Sequence, residues 1–266
     1  MAAVTFDVWH TLVHLEPVES ETYYRAQVAT AVEALRDAPR AAGAPAGDDS
    51  YVAREFERVL TAAVDEANRG RTIPPAEQIL RVGAAVGRRP DADRYVQRLD
   101  ALVARQPFRS APGAATLLDA LRRDGYRLAA VGNTVGETGR AMRGVLERLG
   151  LKAPFEAFVF SDEHPWAKPS PEPFWAAVTA LGEEAARAIH VGDAWFDIAG
   201  ARRAGFRAAI RYTGLARYGE QYRSLLERGD DPDAATEFEV ERLDEVRPIV
   251  HRLLAPADGR GRTSAP

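Results

Sequence analysis

Ala3-Val4-Thr5-Phe6-Asp7-Val8-Trp9-His10-Thr11-Leu12 is the stretch from which the rest of the chain can be read. An apolar run with β-branched residues reaches a carboxylate at Asp7, the pattern of a short buried strand delivering an acid at its carboxyl end. Arg127–Val131, Ala157–Phe160, Ala188–Val191 and Arg207–Tyr212 are similar runs. Between the later ones lie helix-period segments at about 113–124, 135–149, 171–181 and 195–204, with Gly125, Gly150, Gly182 and Gly205 at their far ends. Strands alternating with helices predict a parallel α/β sheet.

The interval 16–106 breaks this rhythm, with amphipathic helices expected near 19–36, 50–68, 75–87 and 91–104 and no strand. It reads as a helical insert dividing an α/β core of 1–15 plus 107–254. Arg40–Asp49, rich in Ala, Gly, Pro and Asp, is expected to be a loop, and Arg71–Pro75 a turn. Glu220–Arg228 and Glu239–Leu254 read as surface helices, and the tail 255–266 as disordered. No internal repeat is present.

Composition narrows the function classes. At roughly 150 residues per domain, 266 residues allow one large domain or a domain with an insert. Hydrophobic residues at 46% and charged residues at 28% allow a buried core. Lys+Arg 35 against Asp+Glu 39 leaves a net charge of -4, with no basic excess to hold nucleic acid or an anionic membrane. Zero cysteines exclude disulfides, thiolate nucleophiles and cysteine metal cages. No basic signal region and no run of about 18 apolar residues occurs, so a cytoplasmic protein acting on a small molecule is expected; nothing specifies its oligomeric state. Lys152 and Lys168 are the two lysines, and Lys168 precedes Pro169 while Lys152 has the character of a solvated side chain.

In an open parallel sheet, ligands bind beyond the carboxyl ends of the strands. Those positions hold Asp7, then Gly132-Asn133-Thr134, a loop with Lys168-Pro169, and Gly192-Asp193 with Asp197 following. An aspartate nucleophile needs cationic neighbours to stay ionised and to approach an anionic substrate. Lys168 and a divalent cation would supply them. Carboxylate oxygens with a backbone carbonyl and water suit Mg²⁺; Asp7 and Asp193 form such a pair, and Asp197 could act through water or simply favour a helix N-terminus. Thr11 could cap the turn or hydrogen-bond Asp7.

The order Asp-x-x-x-Thr, Asn, Lys-Pro, Gly-Asp-x-x-x-Asp resembles the haloacid dehalogenase superfamily over almost the whole chain. The resemblance implies a Rossmann-like α/β core with an inserted α-helical cap of the C1 type. It also implies Asp7 as nucleophile, Lys168 as charge neutraliser, and an Mg²⁺ site of Asp7, Asp193, Asp197 and the Trp9 carbonyl. Phosphatases of the superfamily place a second aspartate two positions after the nucleophile, where this chain has Trp9. A general acid/base is worth about 10²–10⁴-fold, or about 3–5 kcal/mol, so alkyl phosphates with poor leaving groups should suffer most. The usual Ser or Thr of the second motif is Gly132, leaving the Asn133 backbone or side chain, or the Thr134 hydroxyl, as substrate donors.

An atypical Mg²⁺-dependent phosphatase is therefore expected, with dehalogenation of 2-haloacids as the enzymatic alternative, since dehalogenases also place an aromatic residue after the nucleophile. The acidic fourth motif favours phosphate. A scaffold with weakened catalysis that binds a metabolite or a protein is a further alternative. Phosphonoacetaldehyde hydrolases use a cap lysine, and 16–106 contain none. His10, adjacent to Trp9, is a candidate substitute acid/base and substrate contact. His14, His164, His190 and His251 show no metal-ligand spacing and read as structural. Trp166, Trp175 and Trp195 read as packing residues, and Tyr23, Tyr24 and Arg25 as early cap positions.

Overall fold

A computed structural model describes residues 1–41, 48–218 and 231–254. Its centre is a six-stranded parallel sheet built from β1 (Ala3–Phe6), β4 (Arg127–Gly132), β5 (Ala157–Phe160), β6 (Ala188–Gly192), β7 (Ala208–Tyr212) and β8 (Phe238–Val240). The spatial order is β5-β4-β1-β6-β7-β8. β1 is therefore central, and the chain builds outward from it first on one side and then on the other.

The strands are buried on both faces, so their side chains sort with a period of two. Val4, Phe6, Leu128, Ala130, Ile189 and Val191 enter one core layer, whereas Ala3, Ala129, Val131 and Ala188 enter the opposite one. The first layer is covered by α5 (Ala114–Arg123), α6 (Gly139–Arg148) and α9 (Val246–Leu254), the second by α7 (Glu172–Ala180) and α8 (Trp195–Arg203). Parallel register sets Phe6 beside Ala130 on one flank and Val191 on the other. The residues after β1, β4 and β6 therefore emerge side by side at one edge, which is what positions the site.

Residues between β1 and β4 make a helical unit of α1 (Pro17–Arg36), α2 (Asp49–Asn68), α3 (Pro75–Ala85) and α4 (Ala92–Arg105). Proline opens α1 and α3, where the missing N–H costs no hydrogen bond. Asp48 and Asp91 cap α2 and α4 by accepting from Tyr51 N at 2.9 Å and Arg94 N at 3.0 Å. Apolar residues three or four apart turn inward; Leu35, Phe56, Ile79, Val82, Tyr95 and Leu99 belong to a core of the unit's own. A small antiparallel ribbon, β2 (Val13–His14) with β3 (Arg109–Ser110), lies where the chain leaves and re-enters the α/β layers. No described helix is long and apolar enough to cross a membrane.

Three local expectations change. The segment from Glu239 does not continue as one helix: Phe238 and Val240 alternate about Glu239 and pair in parallel with β7, and α9 begins only at Val246. The segment from Val135 is loop until Thr138 caps α6 by accepting from Ala141 N at 3.1 Å. The ribbon strands are two residues each, too short to leave a periodic signal. The expected helix at 220–228, the tail 255–266 and the middle of the 40–49 loop lie outside the described residues.

Candidate active site

Asp7 leaves β1 still tied to the sheet, its N–H donating to Val191 O at 2.8 Å. The next residues fold tightly: Leu12 N and Val13 N donate to Val8 O, while His10 takes a left-handed φ of 56°. Lys168 reaches Asp7 from the loop before α7 and is fully buried. Its ammonium has three donors, and Nζ lies 2.5 Å from Asp7 Oδ1, 2.6 Å from Asp197 Oδ1 and 2.9 Å from Val131 O. Burial pulls the Lys168 pKa down, but Asp197 and Asp7 outweigh it and raise it on balance.

Asn133 anchors this lysine by its main chain. Its Oδ1 accepts from Lys168 N at 2.8 Å and its Nδ2 donates to Lys168 O at 2.9 Å. The amide expected to contact substrate is thus committed to placing Lys168. Thr134 turns away too, its hydroxyl donating to Asp162 Oδ1 at 2.6 Å and accepting from Asp162 N at 3.0 Å. Of the donors expected at the second motif, the Asn133 backbone is the one these contacts do not engage. Gly132 has a packing reason for departing from Ser or Thr: a Cβ there would lie 3.0 Å from two ring carbons of Phe160.

Asp197 opens α8 as its third residue, with Oδ2 accepting from Ala194 N at 3.0 Å. Its Oδ1 is 3.2 Å from His190 Nε2, while His190 Nδ1 is 2.8 Å from Thr5 Oγ1. Because an ionised carboxylate only accepts, His190 donates from Nε2 and accepts the Thr5 hydroxyl proton at Nδ1. Burial pushes the Asp197 carboxyl up, but Lys168 and His190 pull it down to about 2. Asp197 therefore holds Lys168 in place, a role beyond the outer metal shell expected for it. Gly192 makes room: a Cβ there would lie 2.3 Å from Asp197 Cγ. Gly192→Ala is expected to displace Asp197 and destabilise the protein by about 1–3 kcal/mol, read as a lower urea midpoint at unchanged slope.

Asp193, after β6, is only partly enclosed and lies near Thr11, whose hydroxyl is 3.4 Å from Asp193 Oδ1. Thr11 thus addresses Asp193, where a bond to Asp7 was one expectation. Burial pushes Asp7 up to about 7, ahead of the opposing pull of Lys168. Burial, then Asp7 and Asp197, raise Asp193 well above the usual carboxylate range. Carboxylate oxygens of Asp7, Asp193 and Asp197 lie within 4.8 Å of one another. Three acids facing one ammonium leave an excess of negative charge, and an oxygen-only donor set fits a hard divalent cation such as Mg²⁺.

Trp9 occupies the position of the second aspartate and donates from Nε1 to Glu137 Oε1 at 2.8 Å. Glu137 is 7% exposed; burial pushes its carboxyl up to about 8, with Asp162 and Asp7 adding to the effect. His10 is buried as well, and desolvation with His14 nearby lowers it to about 4. Both effects favour the neutral imidazole and work against His10 as a proton donor. Trp9, His10, Asn133, Glu137 and Phe196 border a cavity of about 340 Å³, completed from the helical unit. Phe196 links it to the charged cluster, its ring centroid lying 5.5 Å from Lys168 Nζ.

The helical unit also grips the loop that carries Glu137. Gln27 Nε2 donates to Gly136 O at 2.5 Å and Gln78 Nε2 to Val135 O at 2.7 Å. Both glutamines are buried. Glu137 and His190 were not among the expected site residues. Glu137 stands just beyond the second motif, so its distance in sequence was a usable signal; His190 sits inside an apolar strand, and only its cross-strand partners expose its role.

A family model for haloacid dehalogenase-like hydrolases matches residues 1–205. The chain belongs to this family. It is 36% identical over 168 residues to a phosphoglycolate phosphatase of Rhodospirillum rubrum, covering 59% of this chain and 68% of that protein. It is 37% identical over 121 residues to the pyrophosphatase PpaX of Halalkalibacterium halodurans, covering 46% and 52%. The chain spans about half the length of curated relatives it matches, 47% to 61% for three of them. Among solved structures, a haloacid dehalogenase-type phosphatase from Thermococcus onnurineus superposes with a TM-score of 0.60 at 20% identity, over 94% of this chain and 98% of that one. That likeness is one of fold.

Proposed function

We propose that this haloacid dehalogenase-like hydrolase is a metal-dependent phosphatase acting on a small phosphorylated molecule. The observation that carries the reading is the cluster of buried Asp7, Lys168 and Asp197 with the partly enclosed Asp193, a nucleophile beside one ammonium with carboxylate groups left over. Magnesium, held by Asp7, Asp193 and the Trp9 carbonyl, would supply positive charge to the phosphoryl oxygens. Lys168 neutralises Asp7 and the incoming phosphate together, and Asp197 with His190 keeps Lys168 at its post. The Asn133 backbone N–H donates to a phosphoryl oxygen.

A carboxylate oxygen of Asp7 bonds to phosphorus as the bond to the leaving oxygen breaks, and that oxygen departs with the electron pair. Water then attacks phosphorus as its bond to Asp7 breaks, releasing hydrogen phosphate and the Asp7 carboxylate, and the proton the water loses passes through solvent to the departed oxygen. The helical unit, 16–106, serves as a cap over the core of 1–15 and 107–254. Trp9 carries no transferable acid proton, so leaving groups that depart without protonation are favoured.

The test is phosphate release from acyl, aryl and alkyl phosphates, and halide release from 2-haloacids, with Mg²⁺ and with EDTA. Mg²⁺-dependent phosphate release is expected, with acyl and aryl esters turned over about 10²–10⁴-fold faster than alkyl esters. Halide release insensitive to EDTA would replace this reading with the dehalogenase one. Tight ligand binding without turnover across the set would favour a binding scaffold.

A further inference from the structure

Aromatic and aliphatic side chains predominate in the cavity beside the charged cluster, with Ser20, Gln27, Thr61, Asn68 and Asn133 as uncharged polar members of its lining. Tyr23, Tyr24, Leu60 and Val64 face it from α1 and α2, and Trp9 and Phe196 from the α/β side. Its volume of about 340 Å³ lies at the small end for ligand sites and accommodates one or two fused rings. Glu137 adds a carboxyl to its border, and among the described residues no lysine or arginine lines it. The ammonium of Lys168 lies behind Phe196, engaged by Asp7 and Asp197.

A substrate placing its phosphorus at Asp7 would seat the rest of the molecule against these walls. An apolar group gains there by leaving water, about fourfold in affinity for each methylene equivalent buried. A second anion would lose water to a largely aromatic and aliphatic surface, with the carboxyl groups of Glu137 and Asp7 as neighbours and no lysine or arginine among the described lining residues to pair with it, an arrangement that burial makes costly.

Building on the phosphatase reading, we infer that the substrate is a phosphate ester of an uncharged, predominantly apolar phenol, its ring packed between Trp9, Phe196 and the tyrosines of α1. This sets the chain apart from the compounds in its relatives' names, since phosphoglycolate bears a carboxylate and pyrophosphate a second phosphate.

Calorimetry on the wild-type protein with Mg²⁺, using two hydrolysis-resistant phosphonates, tests the inference. Benzylphosphonate is expected to bind at least tenfold more tightly than 3-phosphonopropionate. Thr61→Arg, which sets a cation at an exposed position bordering the cavity, is expected to cut that ratio at least fivefold by strengthening phosphonopropionate binding. Equal affinities, a preference for phosphonopropionate, or no binding of benzylphosphonate overturns the inference. Acetyl phosphate, with no ring to pack against the walls, reports on the chemistry separately. Its Mg²⁺-dependent hydrolysis together with a phosphonopropionate preference overturns the inference alone. No phosphate release from any ester or from acetyl phosphate overturns the phosphatase reading and the inference with it.

Discussion

Lys168→Met is expected to abolish turnover and to lower stability at pH 7 by about 3–5 kcal/mol, the usual consequence of removing one partner from a buried ion pair. The methionine fills most of the lysine's volume, so the loss is electrostatic. Lys168 Nζ donates to Asp7 and Asp197, both buried. Without it two carboxylates face each other in a poorly solvated space, and their pKa values in the folded variant rise above the unfolded value. A group raised on folding contributes stability that is complete below its unfolded pKa and is lost as pH rises through its folded pKa. The variant should therefore lose least relative to wild type near pH 4 and most above pH 7. Urea unfolding at pH 5 and pH 8 checks this, and a deficit independent of pH would show that packing, rather than charge, dominates.

Asp7→Asn is expected to separate activity from stability. Turnover should fall by roughly 10⁴-fold or more, the scale seen when a nucleophile is removed. Stability should hold, because burial already pushes the Asp7 carboxyl up to about 7. Folding therefore favours the neutral form, and the ionised carboxylate costs stability progressively as pH rises through about 7. In EDTA, Asp7→Asn should unfold at a urea concentration equal to or above that of wild type at pH 8, with the advantage vanishing near pH 4. Asp197 has the opposite sign: its carboxyl is pulled down to about 2, so its contribution is present above pH 4 and is lost as pH falls towards 2. Asp197→Asn should accordingly destabilise at pH 8 where Asp7→Asn does not. The two aspartates share one lysine, so the contrast tests directly the proposed division of labour, with Asp7 as nucleophile and Asp197 securing Lys168.

Much of this protein was legible in order along the chain. Short apolar runs ending in Asp7, Gly132-Asn133 and Gly192-Asp193 specify parallel strands with chemistry at their carboxyl ends, because a strand buried on both faces must be apolar throughout and its polar residues can begin only where it stops. The spacing of Asp7, Lys168, Asp193 and Asp197 carried the family resemblance, and the scarcity of lysine singled out Lys168. These signals are local.

The tertiary structure decided what each polar atom does. That Asn133 clamps the Lys168 backbone, that Thr134 answers to Asp162 and that Thr11 lies near Asp193 depend on strand order and register, which bring residues more than 25 positions apart within hydrogen-bond range. His190 is one polar residue in an apolar strand until Thr5 and Asp197 are placed on either side of it. Glu137 faces the cavity because buried glutamines of the helical unit hold the loop carrying it. Sequence determines which groups are available and which segments are buried, since propensity and periodicity act over a few residues; hydrogen bonding and charge burial act between segments, so the partner of each group, and with it the division of roles at the site, exists only once the chain has folded.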